Sequence, residues 1–174
     1  AHDAPLGRML RERRASSMIL WGPPGSGKTT LAKIIAEHVN MNFELLSAVF
    51  SGVSDLRKVF DKAVERKKVG EETLLFVDEI HRFNRAQQDS FLPFVEDGTV
   101  ILVGATTENP SFELNSALLS RCKVCILQKI AKAGLENLVK RAEELEGKEL
   151  PLEQRARDAL LSMADGDGLS LIHI

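Results

Sequence analysis

Short apolar runs alternate with longer segments of helical period along most of the chain. The apolar runs are Met18 to Trp21, Phe43 to Leu46, Leu74 to Val77, Val100 to Gly104 and Val124 to Leu127. Between them, Thr29 to Val39, Val53 to Lys67 and Gln87 to Val95 carry apolar residues at the spacing of amphipathic helices. The resulting order is β-α-β-α. A strand such as Leu74-Leu75-Phe76-Val77, apolar at every position, has no face to offer solvent and belongs in a parallel sheet covered on both sides. The pattern therefore predicts an α/β fold, a parallel sheet flanked by helices.

After Gln128 the strand-like runs stop. Two helical patterns remain, Leu135 to Leu145 and Leu152 to Met163, separated by Gly147 and by Pro151, which is placed to start the second helix. The expected organisation is an α/β core over residues 1–130 followed by the beginning of a small helical lid subdomain over 131–168. The basic stretch Glu65-Arg66-Lys67-Lys68 ends a helix, where positive charge offsets the helix dipole, so it reads as a solvated helix end rather than a binding patch.

Composition narrows this further. A chain of 174 residues, 44% of them hydrophobic, can bury one proper core and is short for two domains and a linker. No stretch approaches the roughly 20 consecutive apolar residues of a membrane span, and Ala1 to Arg14 is too polar for a signal peptide, so the expectation is a soluble, intracellular protein. The net charge of -2 provides no global field for nucleic acid, and any DNA contact must come from a local patch or an assembly. Cys122 and Cys125 form a lone C-x-x-C inside an apolar region, without the further ligands that zinc requires, which favours packing over metal or redox chemistry.

Four segments carry candidate chemistry. Gly22-Pro23-Pro24-Gly25-Ser26-Gly27-Lys28-Thr29, with Thr30 beside it, fits G-x-x-x-x-G-K-[ST], follows a strand and opens a helix. Its glycines let successive backbone N–H groups turn inward on phosphate oxygens, and the helix adds its positive end. Lys28 would reach the β- and γ-phosphates of ATP, and Thr29 would ligate Mg²⁺. The second segment is Asp78-Glu79, two carboxylates at the end of a buried strand, where ligands of open parallel sheets sit. Asp78 would hold Mg²⁺ through its water shell and Glu79 would polarise the attacking water. Taken alone, an acidic pair in that position is more often a turn or helix cap; the phosphate loop reverses the balance.

The third segment is Val100 to Thr107, a buried strand ending in hydroxyls. Thr107 is the first choice to contact the γ-phosphate or the water, with Asn109 in reserve; the competing reading is that the threonines only cap the turn before Asn109-Pro110. The fourth is Arg121, which has no evident partner within its own site. It would act as an arginine finger on a neighbouring subunit's nucleotide, or else it is a surface salt-bridge arginine. His81 has no second histidine at ligand spacing and reads as structural.

Together Ser17 to Gly25, Phe76 to Asn84, Gln87-Gln88-Asp89 and Gly104 to Phe112 resemble the replication-associated recombination protein A family, also called the MgsA or Werner-helicase-interacting-protein family, of AAA+ P-loop ATPases. The resemblance runs from about Pro5 to Gly166. It implies a homo-oligomeric ATPase, stimulated by DNA, that acts at stalled replication forks alongside single-stranded DNA-binding protein in the bacterial cytoplasm and nucleoid. Residue by residue, Gly22, Gly25, Gly27, Lys28 and Thr29 match the phosphate loop, Asp78 and Glu79 the acidic pair, Thr107 the first sensor and Arg121 the finger. Ser120-Arg121-Cys122 also resembles the finger motif of clamp-loader subunits. The family's adenine-contacting residues lie upstream of Pro5-Leu6. Its Gly-Asp-x-Arg second sensor departs here, where Asp165-Gly166-Asp167-Gly168 is followed by Leu169, and residues 169–174 do not resemble the family. A nucleotide-binding assembly subunit with little turnover of its own, as in clamp loaders or branch-migration motors, is the competing function. Phosphoryl transfer to a small molecule fits less well, because Glu79 beside Asp78 suits activation of water.

Overall fold

The computed structural model describes residues 9, 11, 12, 14–148 and 150–168. The sequence expectations at Pro5-Leu6 and over 169–174 lie outside the described residues.

Five strands form one sheet: β1 (Met18–Trp21), β2 (Asn42–Ser47), β3 (Thr73–Asp78), β4 (Ile101–Thr106) and β5 (Lys123–Ile126). All pairings are parallel and the order is β2-β3-β4-β1-β5. The expected parallel sheet flanked by helices is therefore present. Helix α1 (Lys28–His38) connects β1 to β2, and α2 (Val53–Lys68) connects β2 to β3. Both lie within two residues of the segments predicted from periodicity.

The apolar runs behave as two-sided strands. Leu75 and Val77 enter a core with Ile19, Leu102, Leu56, Val59, Phe60 and Ala63, while Leu74 and Phe76, equally buried, alternate to the opposite face. Phe60 of α2 anchors the first layer, meeting Phe91 edge-on at 5.4 Å and stacking on Phe94 at 4.2 Å. Gly104 is where β4 must be thin: a Cβ there would lie 2.8 Å from Ile19 Cδ1 and 3.0 Å from Ile80 Cδ1.

Three local expectations change. The helix predicted over Gln87 to Val95 is two short ones, α3 (Arg85–Asp89) and α4 (Leu92–Glu96). Pro93 is the cause, because it has no N–H for the carbonyl of Asp89 and sits instead in the first turn of α4, where no such donor is needed. Pro151 does not open the last helix, which begins at Gln154 behind an extended Glu153. The β5 segment is an edge strand with only Cys125 buried, so it is not the doubly covered strand its apolar residues suggested. Two further short helices, α5 (Pro110–Glu113) and α6 (Ser116–Leu119), carry the chain from β4 to β5.

The chain divides into two compact units. One holds the residues up to Trp21 together with Lys28–Ile126. The other joins Gly22–Gly27 to the residues from Leu127 onward, which include α7 (Lys132–Glu146) and α8 (Gln154–Ala164). Leu135 and Val139 of α7 pack against Leu161 and Ala164 of α8 in this second unit. Gly147, with φ of 65°, ends α7 as a left-handed cap.

Candidate nucleotide-binding site

In the sheet unit, three strands end at one level. Trp21 is the register partner of Thr106, and Val77 of Gly104, so β1, β3 and β4 have their carboxyl ends at one edge of the sheet. The chain runs from β1 to the far edge strand β2, but from β4 to β5 in the other direction. With right-handed crossovers those two connections cover opposite faces, which makes the β1–β4 boundary a topological switch point, the usual position of a ligand in such sheets.

Lys28 opens α1 and is buried, with 8% exposure. Thr29 is half-buried and Thr30 exposed. The first turn of α1 contains no acidic residue, so nothing in it offsets the helix's positive end. Asp78 is the last residue of β3; its Oδ1 accepts a hydrogen bond from the Glu79 N–H at 3.1 Å. Glu79 takes the left-handed conformation, φ 50° and ψ 44°, uncommon for a residue with a side chain and most often found where function demands it. A 3₁₀ turn over Ile80–Arg82 follows.

Thr106 at the end of β4 is fully buried, and its Oγ1 accepts from the Glu108 N–H at 3.0 Å. The same Oγ1 lies 2.8 Å from His81 Nδ1, and that nitrogen lies 3.2 Å from Glu79 Oε2. Thr107, the residue chosen from sequence, is half-buried immediately beyond the strand. Asn109, the reserve, has its Oδ1 committed to the Ser111 N–H at 3.0 Å, capping α5.

Arg121 has a partner in its own chain, as the salt-bridge alternative read from the sequence expects. It forms an ion pair with Glu96, and its Nη1 donates to the Ala117 carbonyl at 2.7 Å. The side chain stays 37% exposed. Burial pushes the Cys122 thiol up to about 12 and raises that of Cys125, so neither supplies thiolate at neutral pH. Among the described residues, no group of three or more His, Cys, Asp or Glu side chains is arranged to hold a metal ion, and no helix is long and apolar enough to cross a membrane.

The loop itself lies in the second unit. Gly25 and Gly27 have φ of 65° and 84°, open to glycine and strained for anything else. Around Gly25 there is no room either: a Cβ would sit 1.6 Å from Asp167 Oδ1, and the Gly168 N–H donates to the Gly25 carbonyl at 3.3 Å. At Gly22 a Cβ would meet the Leu127 carbonyl at 2.5 Å. Ser26 Oγ is buried and makes no hydrogen bond to the protein, while Pro23 is half-buried and Pro24 exposed. An unsatisfied buried hydroxyl in a loop that tolerates no side chains at two positions fits a polyphosphate ligand. The Thr29 hydroxyl and Asp78 carboxylate are the hard oxygen donors that Mg²⁺ takes.

His81 and Thr106 were not among the functional residues read from sequence. Thr106 closes an apolar strand buried on both faces, but nothing in the one-dimensional pattern links it to a histidine 25 residues earlier.

Comparison with known proteins gives the family. Residues 18–130 match the AAA family, the ATPase family associated with various cellular activities. Replication-associated recombination protein A of Escherichia coli (strain K12) is 48% identical over 172 residues, covering 96% of this chain and 38% of that protein. The ATPase WRNIP1 of Dictyostelium discoideum is 49% identical over 176 residues, covering 99% of this chain and 20% of that protein. The chain thus spans less than half the length of these relatives. Among solved structures, the Thermotoga maritima RuvB Holliday junction branch migration motor matches with a TM-score of 0.76 and 30% identity, covering 97% of this chain and 56% of that one. The chain belongs to the AAA family of ATPases.

Proposed function

We propose that this chain binds ATP with Mg²⁺ and hydrolyses it, and that DNA stimulates the reaction in a homo-oligomer acting at stalled replication forks. The observation that carries the reading is the position of Glu79. It follows Asp78 at the carboxyl edge of β3 and takes the left-handed backbone conformation.

The roles follow from chemistry. The N–H groups of Gly22 to Thr29 and the ammonium of Lys28 hold phosphate oxygens. Thr29 and Asp78 hold Mg²⁺, which when bound neutralises charge on the β- and γ-phosphate oxygens. Glu79 accepts a hydrogen bond from a water and polarises it, so that the water oxygen bonds to the γ-phosphorus as the bond to the bridging oxygen of ADP breaks. Thr107 hydrogen-bonds the γ-phosphate or that water. Arg121 leaves Glu96 and stabilises the charge developing on a neighbouring subunit's nucleotide.

The names of the relatives support the DNA part of the reading. The Escherichia coli relative is named a replication-associated recombination protein, and the structural neighbour is named a Holliday junction branch migration motor. Single-stranded DNA-binding protein as a partner and a location in the bacterial cytoplasm at the nucleoid belong to the same proposal. The test compares ATP binding and turnover of the wild type with Lys28→Ala and Glu79→Gln. Lys28→Ala should lose binding, whereas Glu79→Gln should bind and fail to turn over; a Glu79→Gln variant that hydrolyses ATP at the wild-type rate would sink the assignment.

A further inference from the structure

One nitrogen atom faces two oxygen partners in the turn after β3. His81 Nδ1 is 2.8 Å from Thr106 Oγ1 and 3.2 Å from Glu79 Oε2, and the histidine side chain is only 8% exposed. An imidazole nitrogen has a single position in the ring plane, carrying either a proton or a lone pair. A lone pair facing a carboxylate is repulsive, whereas an N–H facing it is a charge-assisted donor. Thr106 has an alternative use for its own proton, since Oγ1 lies 3.3 Å from the Glu108 carbonyl and accepts from the Glu108 N–H. The threonine can therefore act as an acceptor toward His81, and Nδ1–H is then directed at both the buried hydroxyl and the Glu79 carboxylate.

We propose that His81 is a positioning residue for Glu79: its Nδ1–H, braced by Thr106, pins one carboxylate oxygen so that the other is presented to the attacking water. This rests on the reading of Glu79 as the water-polarising group. Thr106 is the residue just before Thr107, so the brace also ties Glu79 to the strand whose end is proposed to meet the γ-phosphate. His81 itself touches neither substrate nor metal in this scheme, which is why a histidine without a second ligand at metal spacing still has a function.

Two amide substitutions separate positioning from packing. In His81→Asn the amide nitrogen falls where Nδ1 was; in His81→Gln it falls near Nε2 and the contact to Glu79 is lost. Steady-state ATP hydrolysis by the full chain, with kcat and KM determined separately, should show kcat down about tenfold in His81→Gln with KM little changed, and most of that loss recovered in His81→Asn. In a Glu79→Gln background, His81→Gln should cause no further loss, because the histidine acts through the glutamate. Thermal unfolding of each variant reports folding. Equal turnover in wild type and His81→Gln overturns the positioning role alone, as does an equal loss in the Asn and Gln variants. A wild type that binds ATP without hydrolysing it overturns the reading of Glu79 and this proposal with it.

Discussion

Trp21 stands opposite Thr106 across the β1–β4 pair, so the two strands end at the same level of the sheet. Thr106 is set against His81 by the β3–β4 register, and a slip of one residue there would turn Thr106 to the opposite face and separate the two.

A buried glutamine holds the segments behind the site together. Gln88 Nε2 donates to the Phe83 carbonyl at 2.9 Å and to the Glu113 carbonyl at 3.2 Å, while its Oε1 accepts from the Asn115 N–H at 2.8 Å. Gln88→Leu keeps the bulk and abandons three backbone groups. It should destabilise the sheet unit by about 1–3 kcal/mol in chemical denaturation. An unchanged midpoint would mean that water satisfies those groups.

The sequence pattern was most legible where packing is symmetric. Leu74 to Val77 has the pattern of a strand covered on both faces, and the phosphate loop's spacing places Lys28 at a helix start. Legibility failed where a single residue overrides periodicity, as Pro93 does by splitting a helix, or where an apolar run ends at a sheet edge, as at Val124 to Ile126. It also failed for long-range pairs. The salt-bridge reading of Arg121 could not name Glu96, which is separated from it by a strand and two helices, and the His81–Thr106 contact spans β3 to β4.

Acid should loosen the second unit. The Arg157 guanidinium and then the Leu150 N–H hold the Glu143 carboxyl below its usual range, and the hydrogen bond from Lys132, reinforced by its charge, does the same for Asp158. Both folded-state values are depressed, so the stability they contribute is present above the unfolded carboxylate range near pH 4 and is lost as pH falls through the lower, folded values. Hydrogen exchange of α7 amides between pH 7 and pH 3, corrected for intrinsic rates, should show protection falling with acid. Glu143→Gln should start from lower protection and change less. A pH profile identical to that of the wild type would remove this pair from the account.

If Arg121 works across a subunit boundary, two inactive variants should rescue each other. Arg121→Ala supplies an intact Glu79, and Glu79→Gln supplies an intact finger. Mixed in equal amounts they should recover a measurable fraction of wild-type ATP turnover, of the order of a quarter of sites if the subunits exchange at random, whereas each alone stays near background. Failure of the mixture to exceed either variant, with subunit exchange verified by fluorescence, would assign Arg121 to its observed pairing with Glu96 only.

The most direct test of the whole account is the ATP hydrolysis rate of this chain with Mg²⁺, measured with and without single-stranded or fork-shaped DNA, beside Glu79→Gln. The account predicts turnover that DNA raises and that the substitution lowers by at least about a hundredfold, with nucleotide binding retained. Turnover that is indifferent to Glu79 would contradict the proposed chemistry, and turnover that depends on Glu79 but not on DNA would contradict the proposed place of action.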